Sequence, residues 1–317
     1  MSGADAPASW PVEPPPAAAV EAAITAALAE DLGGVGDLTT SATIPPGRVA
    51  SGRLVARASG TIAGLSIAAG VFDHLDGEVV MVPGAGGTGS GGSGSGGSGS
   101  GGSGSGGCWV DGDRVAAGTV LATLEGDARA MLTGERTALN LLGHLSGIAT
   151  ATRTLVDVVA GTDARIVDTR KTTPGLRALE RYAVRCGGGR NHRYGLHDAV
   201  MIKDNHLVAA GSITAAVRAV RARVGHMVRV VLEVDGLDQL PEALEVGVDV
   251  VLLDNFGPDA LREAVALIDG AAVTEASGGI TLDTVRAVAE TGVDVISVGW
   301  ITHSAPRLDV ALDLEVR

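Results

Sequence analysis

Lysine is almost missing from this 317-residue chain: of 24 basic side chains, only Lys171 and Lys203 are lysines. The others are arginines in an Ala-, Gly- and Val-heavy composition, a usage under which surface lysines drift to arginine. An ammonium and a planar guanidinium are not interchangeable, so the two survivors mark places that need a compact point charge. Asparagine is nearly as scarce. Asn140, Asn191, Asn205 and Asn255 are the only four, and two of them stand beside basic groups, in "NHR" and "KDNH". The two cysteines, Cys108 and Cys186, form neither a disulfide framework nor a zinc spacing, which points to a reducing cytoplasm. No apolar run approaches the roughly 20 residues that span a bilayer. The opening "MSGADAPASWPVEPPP" has neither a basic n-region nor an apolar h-region, so residues 1–19 are expected to be a disordered tail rather than a secretory signal. Excess positive charge is absent too. A formal net charge of -13 and a pI near 4.9 argue against nucleic acid or anionic membranes as partners. The length suffices for one large or two ordinary domains.

Against that acidic background, "DTRKTTPGLRALERYAVRCGGGRNHR", residues 168–193, is a basic island. Arg170, Lys171, Arg177, Arg181, Arg185, Arg190 and Arg193 oppose only Asp168 and Glu180, so this stretch is expected to contribute a pocket for a small anion. The segment from Gly86 to Gly107 repeats Gly-Gly-Ser-Gly-Ser without an apolar residue. It reads as a flexible loop with a reach of roughly 26 Å, unable to offset its own ordering entropy. Around it, residues 20–135 read as an N-terminal α/β domain. "AAAVEAAITAALAEDLG" has helical spacing, and "GRLVARASGTIAGL" and "DGDRVAAGTVLATLEG" read as short strands with Gly turns. The latter resembles half of a biotinyl or lipoyl carrier barrel without the carrier's lysine. "ARAMLTGERTALNLLGHLSGIATATRTLVDVVA" reads as a long helix broken near Ser146-Gly147.

Residues 136–300 read as an α/β barrel of about six parallel strands, with 301–317 packing back on the N-terminal domain. The strands are "ARIVDT", "DAVMIK", "VRVVLEV", "DVVLLDN", "AAVTEAS" and "DVISVGW", separated by amphipathic segments. Each strand delivers polar or Gly residues at its carboxyl end, where barrels of this kind place their active sites. Ser277, Gly278 and Gly279, ahead of a helix expected near Leu282, offer backbone N–H groups to a phosphate, with Gly299 as a second loop. Arg170, Lys171, Arg193 and Lys203 supply charge for carboxylates or further phosphates, with His192 as a donor. Gly187, Gly188 and Gly189 allow close backbone approach. Glu233 and Asp254, on adjacent strands, would hold Mg²⁺ together with substrate phosphates or stabilise a developing cation. The residues thus describe a magnesium-dependent enzyme joining a phosphosugar to a small carboxylated partner.

"ERTALNLLGHLSGIAT", the basic island, "IKDNH", "EVD", "LLDN", "EASGGI" and "THSAP", in this order, resemble the quinolinate phosphoribosyltransferase family. The resemblance covers the chain from about residue 20, outside the Gly/Ser segment. It implies an incomplete α/β barrel with an N-terminal sandwich-like domain, a cytoplasmic homodimer, and a glycosyltransferase reaction of NAD biosynthesis. In that reaction quinolinate and phosphoribosyl pyrophosphate give nicotinate mononucleotide, pyrophosphate and CO₂ with Mg²⁺ as cofactor. Carried over by motif, Arg170, Lys171, His192, Arg193 and Lys203 would form the quinolinate pocket with Thr169. Glu233 and Asp254 would serve ribose and metal, and Ser277, Gly278, Gly279 and Gly299 the phosphate. Lys171, Lys203, Glu233 and Asp254 would carry catalysis, and Arg136 would reach the neighbouring subunit's site. Two residues depart from the family pattern: Trp300, where a small residue is usual after the glycine, and Arg190.

Overall fold

The structure, a computed structural model, describes residues 12–87 and 107–316. Residues 1–11 of the expected tail and 88–106 of the Gly/Ser segment lie outside the described residues. The chain divides into two compact units: Met1–Ala151 with Pro174–Gly187 and Ala305–Arg317, and Thr152–Thr173 with Gly188–Ser304. In the first unit, α1 (Ala17–Leu32) begins ahead of the tail boundary expected from the sequence. It is followed by α2 (Leu38–Thr43), β1 (Val49–Ala56), β2 (Gly60–Thr61), α3 (Leu65–Asp73), β3 (Val79–Pro83) and β4 (Ala85–Gly87). Beyond the Gly/Ser segment come β5 (Gly107–Cys108), β6 (Arg114–Val115), β7 (Val120–Asp127) and α4 (Ala128–Val158), whose residues from Thr152 onward are assigned to the second unit.

The expected break in α4 does not occur; the helix runs through 31 residues. Both residues that suggested a break act on neighbours in the same unit. Ser146 Oγ accepts from the Ala63 N–H at 3.0 Å and donates to the Ala63 carbonyl at 3.2 Å, so it does not unwind its own turn. Gly147 lets the Pro306 carbonyl oxygen approach to 2.2 Å from where a Cβ would stand.

The ends of the Gly/Ser segment are already joined, because β4 pairs antiparallel with β5, Ala85 opposite Cys108. Closing a long loop between paired ends opposes folding through chain entropy. Replacing residues 88–106 by a turn of about four residues is therefore expected to leave turnover unchanged and to raise stability by about 1 kcal/mol. Thermal denaturation and steady-state rates check this; a destabilised or insoluble product would contradict it.

The second unit carries the six expected strands: β8 (Arg165–Val167), β9 (Val200–Ile202), β10 (Val230–Val234), β11 (Val250–Asp254), β12 (Val273–Ser277) and β13 (Val295–Ser297). Their order is β8-β13-β12-β11-β10-β9, with every pair parallel. No pairing joins β8 to β9 among the described residues, so the barrel is incomplete. Val230–Leu232 and Val251–Leu253 are buried, as parallel strands covered by helices require. Between β8 and β9 runs α5 (Arg177–Cys186), part of the first unit. The remaining helices are α6 (Asp204–Ala210), α7 (Ile213–Arg221), α8 (Leu240–Val246), α9 (Pro258–Ile268), α10 (Val285–Ala289) and α11 (Trp300–His303). The last strand, β14 (Val310–Val316), belongs to the first unit. It pairs antiparallel with β1 at the edge of the sheet β14-β1-β7-β3.

Candidate active site

Parallel pairing decides which side chains share a layer. Ile202 stands opposite Leu232, and Glu233 opposite Leu252, which in turn stands opposite Glu275. Lys203, one step beyond Ile202, is therefore level with Glu233, and the two form an ion pair. Asp254 and Ser277 are opposite one another in the next layer outward. These carboxyl ends, with the loops after them, line a cavity of about 660 Å³ in the second unit, within the size range of small-molecule sites.

Thr169, Arg170 and Lys171 reach this cavity from the segment after β8, His192 and Arg193 from the loop before β9, and Lys203 from the end of β9. Glu233, Asp254, Ser277, Gly278, Gly279, Gly299 and Trp300 line it as well. Arg193 sits beside Arg170, and burial first and that neighbour second hold its guanidinium below its ordinary pKa. Like charges gathered at one end of a cavity favour an anion between them. The Lys171 stem passes against Gly299, where a Cβ would stand 3.0 Å from Lys171 Cδ. Its own carbonyl accepts from Thr302 Oγ1 at 2.8 Å. The slot aims a slim ammonium, so Lys171→Arg is expected to lower kcat/KM by about tenfold or more, equivalent to about 1.4 kcal/mol. Steady-state kinetics decide this; a parent-like variant would refute the need for an ammonium.

Only part of the basic island reaches the cavity. Arg177, Arg181 and Arg185 ride on α5 in the first unit, and Arg190 is exposed. Arg190 acts through its backbone, which donates to the Ile166 carbonyl and accepts from Asp168 N–H, tying its loop to β8. The gap at Gly188 (φ +85°) is filled by the Arg153 guanidinium, whose Nη1 lies 3.1 Å from where a Cβ would stand. Arg136 is exposed on α4 and is not among the residues lining the cavity. Trp300 does not stand loose in the site. Its indole N–H donates to the Ile280 carbonyl at 3.0 Å, joining the loop after β13 to the loop after β12. The helix expected near Leu282 starts only at Val285 and has five residues. Its end is remote from Ser277–Gly279 in sequence, so an anion there would rely on loop N–H groups rather than on a helix dipole.

Two buried carboxylates lie in stretches the sequence marked, Asp168 at the head of the basic island and Glu275 in "EASGGI", but neither stood out there as a site residue. Asp168, fully buried, accepts from Asn191 Nδ2 at 2.6 Å and from His192 N–H at 2.7 Å, anchoring the loop that carries His192 and Arg193. Glu275, also buried, lies 3.1 Å from His192 Nε2. Asn191 had a faint signal in the scarcity of its type; Asp168 and Glu275 had only their place in those stretches, in or just after an apolar strand. Among the described residues no three His, Cys, Asp or Glu side chains cluster as a metal site. Glu233 and Asp254 suit a cation that brings oxygen ligands of its own.

A parallel incomplete barrel with cations and a Gly-rich loop at its strand ends has the arrangement of a barrel enzyme whose cavity suits an anionic ligand. Comparison with known proteins sharpens the class. The quinolinate phosphoribosyl transferase C-terminal domain matches residues 148–313, and the N-terminal domain of the same description matches residues 108–146. A nicotinate-nucleotide pyrophosphorylase [carboxylating] of Mycobacterium leprae is 45% identical over 297 residues, 92% of this chain and 95% of that one. A probable enzyme of the same name from Synechocystis is 43% identical over 290 residues, covering 90% of each chain. The crystal structure of NadC from Streptococcus pyogenes superposes with a TM-score of 0.83 at 36% identity, covering 94% of this chain and 97% of that one. The chain belongs to the quinolinate phosphoribosyltransferase family. It is thereby a pentosyltransferase of NAD biosynthesis, with the reaction of that family: quinolinate and phosphoribosyl pyrophosphate give nicotinate mononucleotide, pyrophosphate and CO₂.

Proposed function

We propose that this reaction takes place in the strand-end cavity of the second unit. The observation that carries the assignment is the convergence there of Arg170, Lys171, Arg193 and Lys203 with Glu233, Asp254 and the Ser277–Gly279 loop. The four cations bind the two carboxylates of quinolinate and turn its ring nitrogen toward C1 of the phosphoribosyl group. Ser277, Gly278, Gly279 and Gly299 bind phosphate through loop N–H groups. Glu233, held by Lys203, and Asp254 face the ribose and stabilise positive charge as the C1–pyrophosphate bond breaks. The ring nitrogen then bonds to C1. The C2–carboxylate bond breaks next, CO₂ departs, and the electron pair left on C2 takes up a proton.

Mg²⁺ is proposed to enter with phosphoribosyl pyrophosphate, held by Glu233 and Asp254 beside phosphate oxygens, where it would neutralise charge on the leaving group. The protein is proposed to act as a homodimer in which Arg136 completes the neighbouring site. A cytoplasmic location is supported by two free cysteines. No described helix is long and apolar enough to cross a membrane. Purified enzyme supplied with quinolinate, phosphoribosyl pyrophosphate and Mg²⁺ is expected to release CO₂ and nicotinate mononucleotide in equal amounts. Nucleotide formation without CO₂, or no nucleotide at all, would overturn the reading.

A further inference from the structure

The layer formed by Lys203, Glu233, Leu252 and Glu275 contains two carboxylates with different surroundings. Glu233 has a lysine. Glu275, two strands away and 3% exposed, has only the imidazole of His192 at 3.1 Å through Oε2. Its Oε1 is buried and has no hydrogen-bond partner among the described residues. A buried carboxylate with an oxygen left unsatisfied is unfavourable, and an aliphatic side chain such as the neighbouring Leu252 would meet any packing need in this layer. The carboxylate therefore calls for an explanation in what it does to His192.

The imidazole is engaged at both nitrogens. Nδ1 accepts from the Arg193 backbone N–H at 2.7 Å, so that nitrogen carries no proton. The proton is on Nε2 and points at Glu275. An N–H directed at Glu275 is not directed at an incoming substrate carboxylate. The role of His192 is then to hold the start of the Arg193 residue, whose guanidinium is fixed at its far end by donating from Nη1 to the Ala199 carbonyl at 3.0 Å.

We propose that Glu275 is a positioning residue for the transfer reaction. By accepting the Nε2 proton of His192 it fixes the imidazole as the neutral Nε2–H tautomer. Nδ1 is thereby left to accept the Arg193 N–H, which sets where that guanidinium meets the dicarboxylate substrate. The proposal rests on the assignment of Arg193 to the quinolinate end of the cavity. It adds to the site a buried residue of the cavity lining that acts through His192.

Two variants and two readouts test it. Glu275→Ala removes the acceptor and is expected to raise KM for quinolinate about tenfold while KM for phosphoribosyl pyrophosphate changes by less than about twofold. Glu275→Gln keeps an acceptor oxygen and is expected to recover KM for quinolinate to within about threefold of the parent. In ¹⁵N-histidine spectra, with the His192 signals identified by their loss in His192→Gln, the parent and Glu275→Gln should show protonated Nε2 and bare Nδ1. Glu275→Ala should show a mixture of tautomers. Equal changes in both KM values, a Gln variant as impaired as the Ala variant, or an unaltered tautomer in Glu275→Ala would each overturn the proposal. If Glu275→Ala does not fold, Glu275→Gln decides alone: a displaced tautomer or a KM for quinolinate beyond about threefold counts against it. The tautomer is read without turnover, so a parent enzyme inactive toward quinolinate would refute the assigned reaction separately from the Glu275–His192 contact.

Discussion

Mixing an inactive Arg136→Ala chain with an inactive Lys203→Ala chain is expected to restore about a quarter of wild-type activity. Lys203 lines the cavity and is paired with Glu233, so its loss removes both a cation and the group that holds a carboxylate in place. Arg136 is exposed on α4 and absent from the cavity lining, yet it lies in "ERTALNLL", a motif of the family. In the proposed homodimer each site takes Arg136 from one chain and Lys203 from the other. Random exchange at equal mixing makes about half the dimers mixed, and each mixed dimer holds one doubly altered site and one intact site. Activity after subunit exchange, with native mass spectrometry to count mixed dimers, checks the figure. An inactive mixture containing the expected mixed dimers would mean that Arg136 works within its own chain or not at all.

Gly278→Ala is expected to damage both stability and turnover. Gly278 adopts φ +90°, where a side chain is strained, and a Cβ there would stand 2.1 Å from Asn255 Oδ1 and 3.0 Å from Asn255 N. Asn255 has little freedom to yield. It is itself at φ +59°, its backbone N–H donates to the Ser277 carbonyl at 2.8 Å, and its Nδ2 donates to Asp254 Oδ2 at 2.8 Å. The added methyl therefore displaces the carboxylate proposed to face the ribose as well as the loop proposed to bind phosphate. A loss of roughly 2–4 kcal/mol, a Tm lower by roughly 5–12 °C, and a kcat/KM lower by about a hundredfold are expected. The double variant Asn255→Gly/Gly278→Ala removes the clashing amide, so it should regain part of the Tm but not the activity, because Asp254 still lacks its donor. A single variant with parental Tm and kinetics would show that the loop tolerates the methyl.

The barrel was legible because its signals are local. "VVLEV" and "VVLLD" are apolar over the length of a strand, which only burial on both faces explains, and the amphipathic stretches between them supply the crossover helices. Polar residues at the strand ends then had to face solvent or a ligand. Lys171 and Lys203 stood out by composition alone, and the cavity contains both.

Other features depend on which distant segments meet. Arg177, Arg181 and Arg185 belong to the same basic run as Arg170 and Lys171, but a helix begins at Arg177 and carries them into the first unit. Ser146-Gly147 looks like a helix break until Ala63 and Pro306 take up the hydroxyl and the missing side chain. Glu233, Glu275 and Asp168 are one kind of group in the sequence. The parallel register gives Glu233 a lysine and places Glu275 under His192, while the loop return to β8 gives Asp168 two N–H donors. Local pattern thus determined the strands and the charge of the site. The partner of each buried carboxylate was decided only by tertiary structure, because a hydrogen bond between residues 23 to 83 positions apart depends on register and loop path, which no short stretch of sequence contains.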